Sequence, residues 1–281
     1  MSTRLDLTTV CKMTSNTSKH WANELPVYIM TADHSMFCLP AFCYLFNKFW
    51  PSEVTINVIG YSNPNFELPR NVNYISLGED RGPEFWSDDM IDFFSKVDHK
   101  FFYLTTEDGF ILRRVNEQLL FDSISVSKQM IEANPNFLRF NLTHCVSSRH
   151  HSVIGRNVLG NELIIASPGT DYRHSLQHSI WNTSNFISML SRNMTPWQVE
   201  LDENARFSKF DILAFRGECP MQVGHGYSKG KKVKNWYQDV WRHMSGFDSL
   251  ANEEIEYIEK MGWIPEINVQ AERDSSGRLI K

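Results

Sequence analysis

The 281-residue sequence predicts an α/β fold built on a mostly parallel, doubly wound sheet. Three observations point to it. Strand-like and helix-like segments alternate from Val27 to Leu142. The run Phe101 to Leu104 has the continuous aromatic and apolar character of a strand covered on both faces. At 42% hydrophobic and 13% aromatic, the chain can bury a substantial core.

Residues 1 to about 24 are rich in Ser, Thr and Asn without apolar periodicity, and are expected to form a loosely ordered arm. The fold should start near Leu25, with Val27–Thr31 as a strand and Met36–Trp50 as a helix. Strands are expected over Val54–Gly60 and Val72–Leu77. Trp86–Val97 is the clearest helix, with Trp86, Met90, Phe93, Phe94 and Val97 on one face, Ser87 placed to cap, and Asp88 and Asp89 in the first turn. It leads into the strand FFYLTT. A helix over Glu117–Ala133 should end at Asn134-Pro135, before a strand from Phe137 to Leu142.

Beyond about residue 145 the alternation weakens. His144, Ser148, Arg149, His150, His151 and Arg156 fall in a polar stretch read as surface. Two amphipathic helices are expected at Trp236–Met244 and Leu250–Met261, with a frayed tail from Glu272. The organisation expected is an arm (1–24), one domain (25–215) and a helical extension (216–281).

A net charge of -5 gives no general attraction to nucleic acid, although Lys229, Lys231, Lys232 and Lys234 form a local basic patch. The five cysteines are odd in number, widely spaced and without a C-x-x-C pair, which argues against a disulfide framework or a zinc site and for a reducing compartment. With no leader-like start and no long apolar run, a soluble, cytoplasmic protein is expected.

The most informative segment is FFYLTTEDGF, where a buried strand ends in Glu107, Asp108 and Gly109. Carboxylates at the carboxyl edge of an α/β sheet lie where ligands bind, and one or two of them commonly hold a cation that carries substrate phosphates. Gly109 is expected to permit the sharp exit from the strand. Arg81, flanked by Gly78 and Gly82, offers a planar cation for phosphate oxygens, or else a surface ion pair with Glu79 or Glu84.

Four segments together resemble a known family: TAD (Thr31 to Asp33), GEDRGPEFWSDDM (Gly78 to Met90), TTEDGF (Thr105 to Phe110), and SLQHSIWNTSNFISML followed by TPWQVE (Ser175 to Glu200). They are similar to the GT-A sugar-nucleotide transferases of bacterial polysaccharide clusters and large viruses or phages. The resemblance spans about residues 26 to 205. It implies a Rossmann-like mixed sheet, flanked by helices, and transfer of a sugar from a UDP- or GDP-linked donor to a glycan or other hydroxyl acceptor, inverting and assisted by Mn²⁺ or Mg²⁺.

It further implies nucleotide-sugar binding by Thr31, Asp33, Asp80, Arg81, Trp86, Asp88 and Glu107, and acceptor binding by Gln177, Trp181 and Trp197. Asp108 and His225 would hold the metal, and Glu200 would serve as general base. The acidic motif here is Thr106-Glu107-Asp108, without D-x-D spacing. Two other readings stay open: a nucleotidyltransferase, for which a glycine- and lysine-rich phosphate loop after the first strand is missing, and an inert carbohydrate-binding or scaffold protein.

Overall fold

The computed structural model describes residues 24–146, 150–157, 160–170, 173–201, 208–225, 227–228, 231–232 and 250–264. The N-terminal arm up to residue 23, Ser148, Arg149, Lys229, Lys234, the helix expected over 236–244 and the tail from 272 lie outside the described residues.

The elements, in chain order, begin with β1 (Val27–Met30), α1 (Leu39–Phe49), β2 (Ile56–Gly60), β3 (Val72–Ser76), α2 (Trp86–Phe94), β4 (Phe101–Thr106), β5 (Gly109–Ile111), α3 (Glu117–Ala133) and β6 (Phe137–Asn141). They continue with β7 (His151–Arg156), β8 (Glu162–Ala166), β9 (Ser179–Asn182), α4 (Thr183–Met189), α5 (Pro196–Leu201), β10 (Asp211–Arg216), β11 (Val223–His225), β12 (Tyr227–Ser228), β13 (Lys231–Lys232) and α6 (Asn252–Met261).

Nine strands form one mixed sheet in the order β3-β2-β1-β4-β9-β6-β10-β8-β7. β1 to β4 are parallel to one another, as are β6 and β10. β9 runs antiparallel between β4 and β6, and β8 antiparallel between β10 and β7. The fold is therefore a Rossmann-like α/β sheet, mostly parallel in direction and flanked by helices. Among the described residues no helix is long and apolar enough to cross a membrane.

Up to Asn141 each predicted strand and helix is present, and the short strand β5 is an addition that the sequence reading did not include. The polar stretch around His151 departs from its surface reading: His151–Arg156 forms an edge strand, paired with β8. Its outward residues Val153 and Ile154 are exposed, as an edge strand allows.

Each face of the sheet carries its own core. One joins α1, α3 and α6 through residues such as Phe42, Phe46, Leu120 and Ile258. The other joins α2 and α4, where Phe94 stacks on Phe102 at 4.2 Å and both meet Phe186 edge-on. Burial of each such ring is worth about 2 to 3 kcal/mol, and the edge-on pairs fix its orientation. α3, α4 and α5 start on side-chain caps: Asn116 accepts the Leu119 amide, Asn182 accepts the Asn185 amide, and Thr195 with Gln198 forms a reciprocal capping box for α5.

Sequence after residue 216 folds back on the sheet assembly. β11 pairs with β5, and α6 lies on α1, where Tyr44 stacks on Tyr257 at 4.8 Å and also meets Trp263. Beside them the Lys48 ammonium pairs with Glu254, a carboxylate only 1% exposed. Removing Lys48 would leave the Glu254 carboxylate buried without its partner. Lys48→Met is therefore expected to lower the melting temperature more than Glu254→Gln, which removes the charge along with its need for a partner. Equal effects in thermal melts would show that the ion pair does not anchor α6.

Candidate functional site

The parallel strands β1, β2 and β4 bring Thr31, Tyr61 and Glu107 to one sheet edge. The Glu107 amide donates to the Met30 carbonyl at 3.2 Å, so the acidic turn after β4 is bound to the end of β1. Its carboxyl group points inward. Burial, then the charge of Asp108, raises its pKa to about 8, against the opposing effect of hydrogen bonds from the Ser35 and Thr31 hydroxyls. Asp108 stays half-buried, with the Thr106 hydroxyl donating to its Oδ1 at 2.6 Å.

Two fully buried side chains hold this turn. The His178 ring lies 3.0 Å from the Gly109 carbonyl through Nε2 and in contact with the Tyr103 hydroxyl through Nδ1. A carbonyl only accepts, so Nε2 carries the proton and Nδ1 accepts from Tyr103. A Cβ on Gly109 would lie 2.9 Å from Nε2. Gly109 is thus required for the close approach of the imidazole, and its φ is not among the positive ones.

Next to this corner, Asp33 accepts from the Ser62 amide at 2.9 Å and the Ser62 hydroxyl at 2.6 Å. Tyr74, pushed up to about 12 by burial and then by the charge of Asp33, donates to the Ser62 carbonyl at 2.6 Å. Asp33 therefore braces the loop after β2 and does not cap α1.

Glu200 comes from α5. Its Oε1 accepts the Leu176 amide at 2.8 Å. Burial raises its pKa, and the charge of Asp108 adds to the rise, while the Leu176 amide, the Ser175 hydroxyl and the charge of Arg139 oppose it. Leu176, whose amide Glu200 accepts, lies two residues before His178, whose ring meets the Gly109 carbonyl, so this stretch links Glu200 to the acidic turn although the two are far apart in sequence. Arg139 is wholly buried, donates to Ser179 Oγ at 2.6 Å and to the Arg173 carbonyl at 2.9 Å, and is pushed down to about 10 by burial.

The other predicted site residues divide. Gln177 is half-buried just before β9, and Trp197 is 52% exposed one turn before Glu200 on α5. His225 sits opposite Gly109 in the antiparallel β5–β11 register, one residue from Asp108. Arg81 pairs with Asp89, and with neither Glu79 nor Glu84, and covers the Phe85 ring at 4.6 Å. Asp80 accepts the Gly82 amide at 2.9 Å and so closes the glycine loop on itself.

Three residues sit elsewhere than a ligand would need. Trp181 is fully buried, with the Arg139 guanidinium over its ring at 5.0 Å and Phe186 edge-on to it, so it is part of the core and presents no face to an acceptor. Trp86 lies in the same core. Asp88 receives the Arg192 guanidinium at 2.9 Å and the Asn193 amide at 2.7 Å, and Ser87 accepts the Met194 amide at 2.8 Å. Ser87 does not cap α2. The W-S-D segment ties α2 to the turn before α5, and so acts on Glu200 through the backbone.

Sequence reasoning missed Ser35, Tyr103, Arg139 and His178. Of these, Ser35 alone carried a signal, lying one helical turn after Thr31.

No family model matches the sequence, and no curated protein does. Among solved structures, the chain is similar to a cytidylyltransferase from Leptospira borgpetersenii at 14% identity and a TM-score of 0.44, covering 86% of this chain and 96% of that one. A CMP:2-keto-3-deoxy-manno-octonic acid synthetase complexed with CTP shares 12% identity at a TM-score of 0.36, over 73% and 92% of the two chains. A UDP-glucose pyrophosphorylase complexed with UDP-glucose shares 7% at 0.37, over 71% and 93%.

The Glu107 environment has a measurable consequence. Between its ordinary value of 4.5 and about 8, the folded protein keeps a proton that the unfolded chain has lost. Stability of the metal-free protein should therefore fall as pH rises through that window. Glu107→Gln cannot ionise, so its melting temperature should be higher than the parent's above the window and should vary less within it. Parallel melting curves for the two proteins would show that Glu107 is ionised throughout.

Proposed function

We propose that the protein is a glycosyltransferase that moves a sugar from a nucleoside diphosphate sugar to an acceptor hydroxyl at the carboxyl edge of the sheet. The linkage of Glu200 to the acidic turn that bears Asp108 carries this reading, because transfer needs help on both sides of the sugar. Charge building on the departing diphosphate must be neutralised, and the acceptor hydroxyl must lose its proton.

Among the described residues no three His, Cys, Asp or Glu side chains gather into a group that could hold a metal by itself. The donor set suits a hard cation that takes one carboxylate and completes its shell with phosphate oxygens and water. Mn²⁺ or Mg²⁺ bound in that way to Asp108, with His225 as the neighbouring candidate, would supply the neutralisation.

Protein groups do the rest. Glu107, protonated near neutrality and held by the Thr31 and Ser35 hydroxyls, forms with them the inner wall against which the nucleoside would lie, and Asp33 and Arg81 extend that surface. Glu200 takes the proton from the acceptor, its basicity raised by burial. The exposed Trp197 indole and the Gln177 amide flank it for the acceptor.

A second reading is nucleotidyl transfer, and the hydrogen bonds on Glu200 favour it. A sugar phosphate attacking a nucleoside triphosphate is already anionic and needs no base, so a Glu200 committed to Leu176 and Ser175 would suffice as a structural group. Products separate the two readings. Glu200→Gln should leave UDP or GDP binding in the presence of Mn²⁺ intact while transfer slows by roughly 10²- to 10⁴-fold. Asp108→Asn should lose both transfer and the response to chelation and added Mn²⁺. Formation of pyrophosphate from a nucleoside triphosphate and a sugar 1-phosphate, with no glycoside formed, would replace the first reading by the second.

A further inference from the structure

β6 carries an arginine into the middle of the sheet, between β9 and β10. Arg139 is wholly buried, and among the described residues it forms no ion pair. Taking a guanidinium out of water without an anion in contact is costly, and an apolar side chain would fill a strand interior without that cost. The residue therefore has a duty other than packing.

What the guanidinium holds is one loop. Its Nη2 donates to the Arg173 carbonyl at 2.9 Å and its Nη1 to Ser179 Oγ at 2.6 Å. The Ser179 hydroxyl donates in turn to the Gln177 carbonyl at 2.8 Å. Residues 173 and 179 are thus clipped to a single rigid, planar group. Between the two clipped points lie Ser175 and Leu176, whose hydroxyl and amide bond the Glu200 carboxyl group, and His178, whose ring meets the Gly109 carbonyl. One loop therefore touches Glu200 on one side and the acidic turn on the other, and one side chain fixes it at both ends.

The charge of Arg139 reaches the same carboxyl group. Of the charged groups that act on Glu200, Asp108 opposes its ionisation and Arg139 favours it. Burial pushes Arg139 down to about 10, with Arg173 adding to the fall and Cys145 and Glu200 opposing it, so it remains a cation through the neutral range. The Trp181 ring, 5.0 Å from the guanidinium, covers it within the core.

We propose that Arg139 is a positioning residue of the site: by clipping the 173–179 loop at both ends it fixes where Glu200 and the acidic turn stand. It meets no substrate itself. That Glu200 takes a proton from an acceptor rests on the glycosyltransferase reading; that Arg139 fixes Glu200 does not.

The test needs no substrate. The full chain is labelled with ¹³C-glutamate, the Glu200 carboxyl signal is assigned by its absence in Glu200→Gln, and its titration is followed by NMR in the parent, Arg139→Lys and Arg139→Gln. Lysine keeps the charge and replaces the fork by a point donor, whereas glutamine loses the charge as well. Neither side chain spans both Arg173 and Ser179. Hydrogen exchange at the Leu176 amide should quicken roughly tenfold or more in Arg139→Lys, while amides of β2, far across the sheet, keep the parent's rates. The Glu200 midpoint should move to higher pH in Arg139→Lys as its amide donor loosens, and further in Arg139→Gln, where the cation is gone too. Should Arg139→Gln not fold, Arg139→Lys decides alone. The proposal is overturned if Leu176 in Arg139→Lys exchanges as in the parent, if β2 quickens equally, or if Glu200 titrates as in the parent in either folded variant. A parent that binds neither UDP nor GDP with Mn²⁺ would sink the transferase reading instead, and would leave the result on Arg139 standing.

Discussion

The candidate site depends on one buried imidazole. His178 bridges β4 and the acidic turn, accepting from Tyr103 on one nitrogen and donating to Gly109 on the other. Without that donor, the Gly109 carbonyl would be buried unpaired, and the turn that presents Asp108 would lose its fixed exit. The bridge works because β9, which His178 precedes, is inserted antiparallel next to β4. Strand order thus decides the chemistry of the turn. A parallel neighbour in that place would bring its other end to the same edge.

A second constraint follows from burying Glu107 beside Asp108. Two adjacent carboxylates cannot both be ionised in a half-buried corner without a cation, and the protein resolves this by protonating the inner one. The inner group, protonated near neutrality, then donates as well as accepts, whereas a D-x-D pair turns two carboxylates to the metal. The departure of this sequence from D-x-D is therefore compensated by position: Glu107 serves the inner wall, and Asp108 alone faces outward.

The sheet was legible as far as Asn141 because its elements there are consecutive in sequence and each carries an uninterrupted apolar signal. From residue 150 that signal fails for physical reasons. β7 and β8 form a two-strand edge with a half-exposed face, and β9 is a four-residue strand inserted between β4 and β6, far from its sequence neighbours. Polar residues also fill the interior there: Arg139, Asn141, His178 and Ser179 are fully buried. Any rule that places polar side chains outside must misread that region. The same blindness hid His178 and Arg139 from the site, and made Trp181, which covers the Arg139 guanidinium, look like a sugar platform. Glu107, Asp108 and Glu200 stood out in the sequence as acids that follow an apolar strand or lie beside a Trp.

Glu200 lies where the two readings of the site divide, and the W-S-D segment explains why its position is so firmly held. Ser87 and Asp88 seize three consecutive residues of the turn before α5, through Arg192, Asn193 and Met194. Thr195 then caps the helix, and Val199 seals its inner side in the core beneath α2. α5 has only six residues and could not hold Glu200 by its own stability. The rigidity is borrowed from α2. A carboxylate that takes the proton of an acceptor hydroxyl would need such bracing, and one that only accepts the Leu176 amide would also be held by it. The clamp from α2 therefore fixes where Glu200 stands in either reading of the site, and the product formed decides between them.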